Sequence, residues 1–183
     1  MLKIVSLFIV LIFNPLTVTK SVISEKIMNK AEKQVKKQLK QVCKFEFFDA
    51  EINTENADNS NFYYLKTLQN EFIGIAVITY ANGCLLGGCS IENRNQNRYE
   101  KFYILSVYNL QKELILVNIL DYPGEHGYEI STKWWLRQFL GSIEKKHQYR
   151  QNIDALSGAT VSSQTVVNEI NTINSIIKRM DIN

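Results

Sequence analysis

The sequence predicts an α+β fold in which helices pack on an antiparallel β-sheet. Apolar residues recur at helical spacing near the N-terminus and again near the C-terminus. The region between them holds runs of β-branched and aromatic residues that are separated by turn-forming residues. The chain has 183 residues, which is one domain's worth of sequence.

The first 23 residues form a candidate export segment. Residues 4–13 are nearly all apolar and follow a single charged residue, Lys3. A run of about ten apolar residues is typical of a secretory signal peptide, whereas a membrane-spanning helix needs about twenty. We therefore expect an extracytoplasmic protein, periplasmic or at the cell surface. Cleavage of residues 1–23 and their retention as a membrane anchor both stay open.

Residues 24–42 have the spacing of an amphipathic helix, and residues 51–61 are predicted to form a polar, Asn-rich loop, so residues 24–61 are expected to precede the main domain as helix and loop. The apolar face of this helix comprises Ile27, Ala31, Val35, Leu39 and Val42. Most of its lysines lie off that face. The helix is either a surface helix with a solvated basic side or one that is attracted to acidic lipid headgroups.

The remaining region, residues 62–183, contains the predicted sheet. The predicted strands are residues 62–65, 72–80, 99–108 and 114–122. Ala81, Asn82 and Gly83 predict a turn that ends the second strand. The last two strands are expected to form a hairpin.

A glycine-rich loop follows the last strand, and in it Gly124 and Gly127 bracket Glu125 and His126. A histidine in such a loop is a candidate for contact with a cofactor, because binding groups concentrate on loops that a rigid scaffold positions. His147 lies in a polar, Lys-rich stretch and is expected to face solvent.

Residues 132–140 predict a short helix, with Ser131 as its cap and Gly141 as its end. Trp134 and Trp135 are adjacent and cannot share one helix face. One is therefore expected in the core and the other near the surface. Either ring could offer a flat apolar wall to a planar ligand.

The C-terminal region combines a loop of small residues with a long amphipathic helix. A single apolar stripe at steps of four, three and four indicates the helix: Val166, Ile170, Ile173 and Ile177. Residues 154–160 precede it and read Asp-Ala-Leu-Ser-Gly-Ala-Thr. Gly158 and Ala159 leave the backbone N–H groups ahead of the helix accessible to an anion, typically a phosphate. The alternative is an ordinary N-cap, in which Ser or Thr bonds these N–H groups without any ligand.

Residues 154–160 resemble the attachment motif of the FMN-binding domain family. That family includes the flavin-carrying subunits of the sodium-translocating NADH:quinone reductase and of the Rnf ferredoxin:NAD oxidoreductase. The specifying positions are filled as the family fills them: Asp154, Ser157, Gly158, Ala159 and Thr160. The resemblance implies that FMN is joined to Thr160 through a phosphoester bond. It also implies a dedicated flavin transferase that works outside the cytoplasm with FAD as donor and Mg²⁺.

A second stretch carries the same resemblance. Residues 122–130 look like the family's glycine-rich, flavin-facing loop, and residues 135–141 look like its short Trp-Leu-x-Gln-Phe-x-Gly helix. The resemblance extends over residues 62–180. In the electron-transport subunits the loop reads Glu-Thr-Pro-Gly-x-Gly, whereas here Pro123 stands one place further from Gly127.

The resemblance also implies roles for individual residues. Asp154 would orient the attachment loop, and Ser162 or Ser163 would hydrogen-bond the phosphate. The whole expected cofactor-binding set is Asp154, Ser157, Gly158, Ala159, Thr160, Ser162, Ser163, His126 and Gly127. No metal ligands and no catalytic residues are assigned.

Three cysteines are present. Cys84 and Cys89 are expected to form a disulfide in an exported protein. Reduced thiols are the second interpretation, and a redox-active pair that exchanges electrons with a flavin is the third. Zinc is disfavoured because a structural site needs four ligands. Cys43 is expected to be a small buried hydrophobe.

The formal net charge of +3 is unevenly distributed. Residues 1–44 hold nine lysines against Glu25 and Glu32, so residues 45–183 carry 12 basic and 16 acidic groups. An acidic body argues against nucleic acid as the partner of the folded domain.

The leading hypothesis is therefore an extracytoplasmic electron-transfer flavoprotein with covalent FMN on Thr160. Its expected partners are the flavin transferase, redox proteins outside or within the membrane, and a possible membrane surface. One alternative is a reductase of a small substrate, with Glu125, His126 or Glu129 as the acid that protonates the product. The other is a secreted structural or binding domain without flavin.

Overall fold

The computed structural model describes residues 23–49, 58–85, 99–124 and 127–181. Residues 1–22 of the predicted export segment lie outside the described residues, as do Cys89, Glu125 and His126.

The described strands form one antiparallel sheet that confirms the predicted α+β class. They are β1 (Lys44–Phe48), β2 (Ser60–Lys66), β3 (Phe72–Leu85), β4 (Tyr99–Tyr108) and β5 (Leu114–Asp121). Their spatial order follows the chain, from β1 at one edge to β5 at the other, and every neighbouring pair is antiparallel. The expected hairpin of β4 and β5 is present.

Two long helices sandwich this sheet, α1 (Glu25–Leu39) on one face and α3 (Thr160–Arg179) on the other. Alternate side chains of β4 supply the two cores. Leu105 and Val107 pack with α1, whereas Ile104 packs with α3. This two-residue alternation is what a strand with both faces covered requires. Within the described residues, none of the helices is both long enough and apolar enough to cross a membrane.

The apolar stripes predicted for the two helices are confirmed. The buried residues of α3 include Val166, Ile170, Ile173 and Ile177, and those of α1 are Ile27, Ala31 and Val35. Val42 is the exception, because α1 ends at Leu39 and leaves Val42 48% exposed. Lys40 follows α1 in the left-handed conformation, with φ 56°, that commonly ends a helix.

The turn predicted at residues 81–83 is wrong, because β3 continues to Leu85. Its pairing with β4 persists through Asn82 opposite Lys101 and Leu85 opposite Tyr99. Gly83 is a glycine inside a strand, where other groups approach the backbone closely. A Cβ on Gly83 would lie 3.0 Å from the Tyr122 hydroxyl oxygen.

The segment after β5 makes two 3₁₀ turns around a single turn of α-helix. The 3₁₀ turns are Tyr128–Ser131 and Arg137–Phe139, and α2 is Lys133–Leu136. The residue before α2 is Thr132 rather than Ser131, and its hydroxyl donates a 2.7 Å hydrogen bond to the backbone oxygen of Glu129. The predicted division of the tryptophans is confirmed, since Trp135 is fully buried and Trp134 is 54% exposed.

Candidate functional site

The first turn of α3 has no side-chain cap. Thr160 is the first helical residue, and Ala159 occupies the N-cap position without any side-chain hydrogen bond to the first turn. The alternative of an ordinary Ser or Thr cap is therefore wrong, because the alanine side chain has no oxygen that could accept from those N–H groups. Ser157, Gly158 and Thr160 are all exposed. Gly158 has φ +81°, a conformation that favours glycine.

The loop before Thr160 is tied to the segment that contains α2. The indole Nε1 of Trp135 donates to the backbone oxygen of Asp154 at 2.8 Å. The backbone N–H of Asp154 in turn donates to Gln138 Oε1 at 2.9 Å. The two stretches that carry the family resemblance thus contact each other directly. The Asp154 side chain itself is exposed.

The expected site residues Ala159, Ser162 and Ser163, around the start of α3, face the interior. All three are fully buried. Ser163 Oγ donates to the backbone oxygen of Ala159 at 2.7 Å, and Ser162 Oγ contacts side chains beneath the helix. Of the two small residues before α3, only Gly158 is exposed and leaves the loop surface accessible. Neither serine hydroxyl points to solvent.

Beneath α3 lies a polar network that the sequence did not indicate. The Tyr122 hydroxyl donates to Glu100 Oε2 at 2.9 Å and lies 3.0 Å from Ser162 Oγ. Ser162 Oγ is also 3.6 Å from Cys84 Sγ. Glu100 is 6% exposed. Burial raises the pKa of Tyr122 far above its usual range, and the hydrogen bond to the Glu100 carboxylate raises it further, so the phenol stays protonated as a donor.

Glycines make room for this network. A Cβ on Gly127 would lie 2.6 Å from the Tyr122 hydroxyl oxygen and 2.9 Å from Ser162 Oγ. A Cβ on Gly124 would overlap the Glu100 carboxylate. The glycines were visible in the sequence as a flavin-facing loop, but their crowding against the network depends on residues far away in the chain. Gly127 is buried, with φ +89°.

Two polar atoms near the attachment loop lack partners. Glu129 Oε2 and Gln138 Nε2 are buried and make no hydrogen bond to any described residue. The Glu129 carboxylate lies beside the loop, because a Cβ on Gly158 would be 3.5 Å from Glu129 Oε1. Buried polar atoms are normally paired, so this acceptor and this donor suit a polar ligand or water.

The predicted disulfide stays a prediction, because Cys89 lies outside the described residues. Cys84 is buried and makes no disulfide within the described part of the chain. Cys43 is partly buried against the core under α1 rather than fully enclosed, and burial raises the pKa of its thiol.

The solvent-facing prediction for His147 is wrong, since this residue is 5% exposed. Its backbone exchanges hydrogen bonds of 2.9 and 2.8 Å with the Asn171 side chain, and its ring meets Phe139 edge-on at 5.1 Å. Burial, and secondarily the charge of Lys145, lowers the pKa of the imidazole. The stretch is polar in composition, but the His147 side chain turns inward and packs on Phe139.

Comparison of the chain with protein-family models and with curated protein sequences returned no match.

Proposed function

We propose that this chain is an extracytoplasmic electron-transfer flavoprotein that carries FMN covalently on Thr160. The observation that carries the proposal is the exposed Thr160 at the uncapped start of a 20-residue helix. A phosphate there would meet free backbone N–H groups and the positive end of the helix dipole. The sequence resemblance supplies the identity of the phosphate as that of FMN.

The attachment reaction needs little from the protein beyond a reachable hydroxyl in a defined loop. Thr160 Oγ1 forms a bond to the FMN phosphorus of FAD, and the bond from that phosphorus to the bridging oxygen breaks. AMP leaves with the bridging oxygen, and the hydroxyl proton passes to solvent. Trp135 and Gln138 hold the backbone of Asp154, and so they fix the loop that presents Thr160. A transferase can recognise such a loop without unfolding the domain.

The residues near the loop fit a flavin mononucleotide. Glu129 Oε2 is a buried acceptor and Gln138 Nε2 is a buried donor, both without described partners. The ribityl hydroxyls of FMN can both donate and accept, so either atom could bind them. The bound flavin would supply the electron-transfer chemistry, while the protein sets its exposure and electrostatics. A covalent ester retains the cofactor outside the cytoplasm, where a dissociated flavin would be diluted.

Mass spectrometry tests the proposal. The full chain, co-expressed with a flavin transferase, should gain the mass of one FMN minus water and become yellow. Thr160→Ala should abolish both signals, and Thr172→Ala, on the same helix, should leave them unchanged. Label that survives in Thr160→Ala would show that the attachment site is wrong, and an unlabelled native chain would favour a domain without flavin.

A reductase is the second candidate, and the unpartnered carboxylate of Glu129 favours it. A reductase needs an acid near the flavin to protonate the product. Turnover of small acceptors by the flavin-labelled chain, lost in Glu129→Gln with the label intact, would select this function over that of a carrier.

A further inference from the structure

The described part of the chain contains a basic groove along the β5 edge of the sheet. It lies between α1 and α2, with β5 as its floor, and encloses about 280 Å³. Its cations come from two separate helical segments: Lys37 from α1, and Lys133 and Arg137 from the segment around α2. All three are exposed, and none makes an ion pair within the described residues. Among the residues that line the groove, none is acidic.

The groove continues a basic stripe on α1. Lys33 and Lys37 are four residues apart within α1, so they lie on the same side of the helix, and both are exposed. Glu25 and Glu32 are seven residues apart and fall on a different flank. The positive charge of this surface is therefore not neutralised by the helix itself.

Apolar groups line the groove beside the cations. Leu140 is 41% exposed at its rim, and Leu136 is buried at its wall. Trp134 is 54% exposed on the flank of the same helical segment. Cations with adjacent exposed Trp and Leu side chains are the composition of a surface that binds at the boundary between headgroups and acyl chains.

We propose that this groove binds the phosphate headgroup of an acidic phospholipid and so docks the domain on a membrane surface. Its volume of about 280 Å³ accommodates a headgroup whose acyl chains stay in the bilayer. A peptide strand added to β5 fits less well. The Gln38 side chain already donates to the Ile115 backbone oxygen at 3.0 Å, and Leu114 already pairs with Gly141.

The position of the predicted export segment is consistent with docking of the groove on a membrane. The apolar segment at residues 4–13 stands shortly before Glu25, where α1 begins. If that segment anchors the chain, α1 starts close to the bilayer, and its basic side has an anionic surface within reach. Thr160 lies at the start of α3, which packs on the face of the sheet opposite α1.

Vesicle binding by the full chain tests the groove and does not require flavin. The groove variant is Lys37→Gln/Lys133→Gln/Arg137→Gln, and the matched control is Lys145→Gln/Lys146→Gln/Arg179→Gln. On phosphatidylcholine vesicles with about a third phosphatidylglycerol, the groove variant should bind about 100-fold more weakly than the native chain, since each basic group contributes about fivefold near an acidic leaflet. The control should change by no more than about threefold. On pure phosphatidylcholine, where only the apolar segment contributes, all three proteins should bind alike.

Quenching by brominated phosphatidylglycerol gives an independent readout. Trp134 is exposed and Trp135 is buried, so bound vesicles should quench the tryptophan fluorescence of the native chain and not that of Trp134→Phe.

Equal losses of vesicle binding by the groove and control variants, or unchanged binding of the groove variant, would overturn the proposal. Preferential binding of poly-glutamate over acidic vesicles, lost in the groove variant, would also overturn it and assign the groove to an acidic protein partner.

Discussion

The indole Nε1 of Trp135 lies 2.8 Å from the backbone oxygen of Asp154 and donates a hydrogen bond to it. Trp135 is fully buried, so this bond joins the hydrophobic core to a loop in which Ser157, Gly158 and Thr160 are exposed. A rigid tryptophan thus sets the position of the loop backbone, and the loop delivers Thr160 to the start of α3.

Trp135→Phe should destabilise the protein. The substitution keeps an aromatic ring but leaves the Asp154 oxygen without its donor and opens space in the core, which together cost about 2–4 kcal/mol. Urea denaturation measures this loss. Trp134→Phe is the matched control, because an exposed ring should change stability by less than about 0.5 kcal/mol. Equal effects from the two substitutions would contradict the anchoring role of Trp135.

The sequence predicted the elements whose burial follows a local period. The stripe from Val166 to Ile177 and the β-branched strands are of this kind, because one side of each must be covered wherever it packs. β1 was missed. It is a five-residue edge strand, Lys-Phe-Glu-Phe-Phe, and five residues are too few to establish a period.

Errors arose where distant residues decide the local structure. Residues 81–83 look like a turn by composition, yet β4 pairs with Ala81, Asn82 and Leu85 and so extends the strand through them. The network of Glu100, Tyr122 and Ser162 joins three parts of the chain, and no spacing in the sequence encodes such a contact. The attachment loop could be predicted because its residues are contiguous.

Tyr122→Phe should cost about 1–3 kcal/mol of stability, because it removes the donor to the buried carboxylate of Glu100. The double variant Glu100→Gln/Tyr122→Phe should cost less than the sum of the single variants, since the two groups interact directly. Chemical denaturation of the four proteins gives the coupling energy. Additive effects would mean that the hydrogen bond contributes nothing to the fold.

Gly124→Ala should destabilise the protein through a steric conflict, because its new Cβ would overlap the Glu100 carboxylate. We expect a loss of about 1–3 kcal/mol, typical of overpacking. In a Glu100→Ala background the same substitution should be nearly neutral, since the opposing group is gone. Thermal unfolding of the two pairs of proteins checks this. A loss of the same size in both backgrounds would assign the cost to the backbone of the loop instead.

Acid should weaken the packing of the loop at residues 142–153 onto α3 through His147. Burial lowers the pKa of this imidazole in the folded protein, so the unfolded chain binds the proton more readily. The contribution is therefore fully present above the ordinary histidine value of about 6.5 and is lost as pH falls below it. Lys145 adds to the effect, because its positive charge also opposes the imidazolium.

The His147 effect can be separated from that of the carboxylates by substitution. The free energy of unfolding of the native protein should fall between about pH 7 and 5, and His147→Gln should fall less steeply over the same interval. Asn171→Ala serves as the comparison. It removes both hydrogen bonds to the His147 backbone while leaving the buried ring to titrate, so it should lower stability at every pH without flattening the slope. A slope that is identical in the native protein and in His147→Gln would show that titration of His147 does not contribute to the pH dependence of stability.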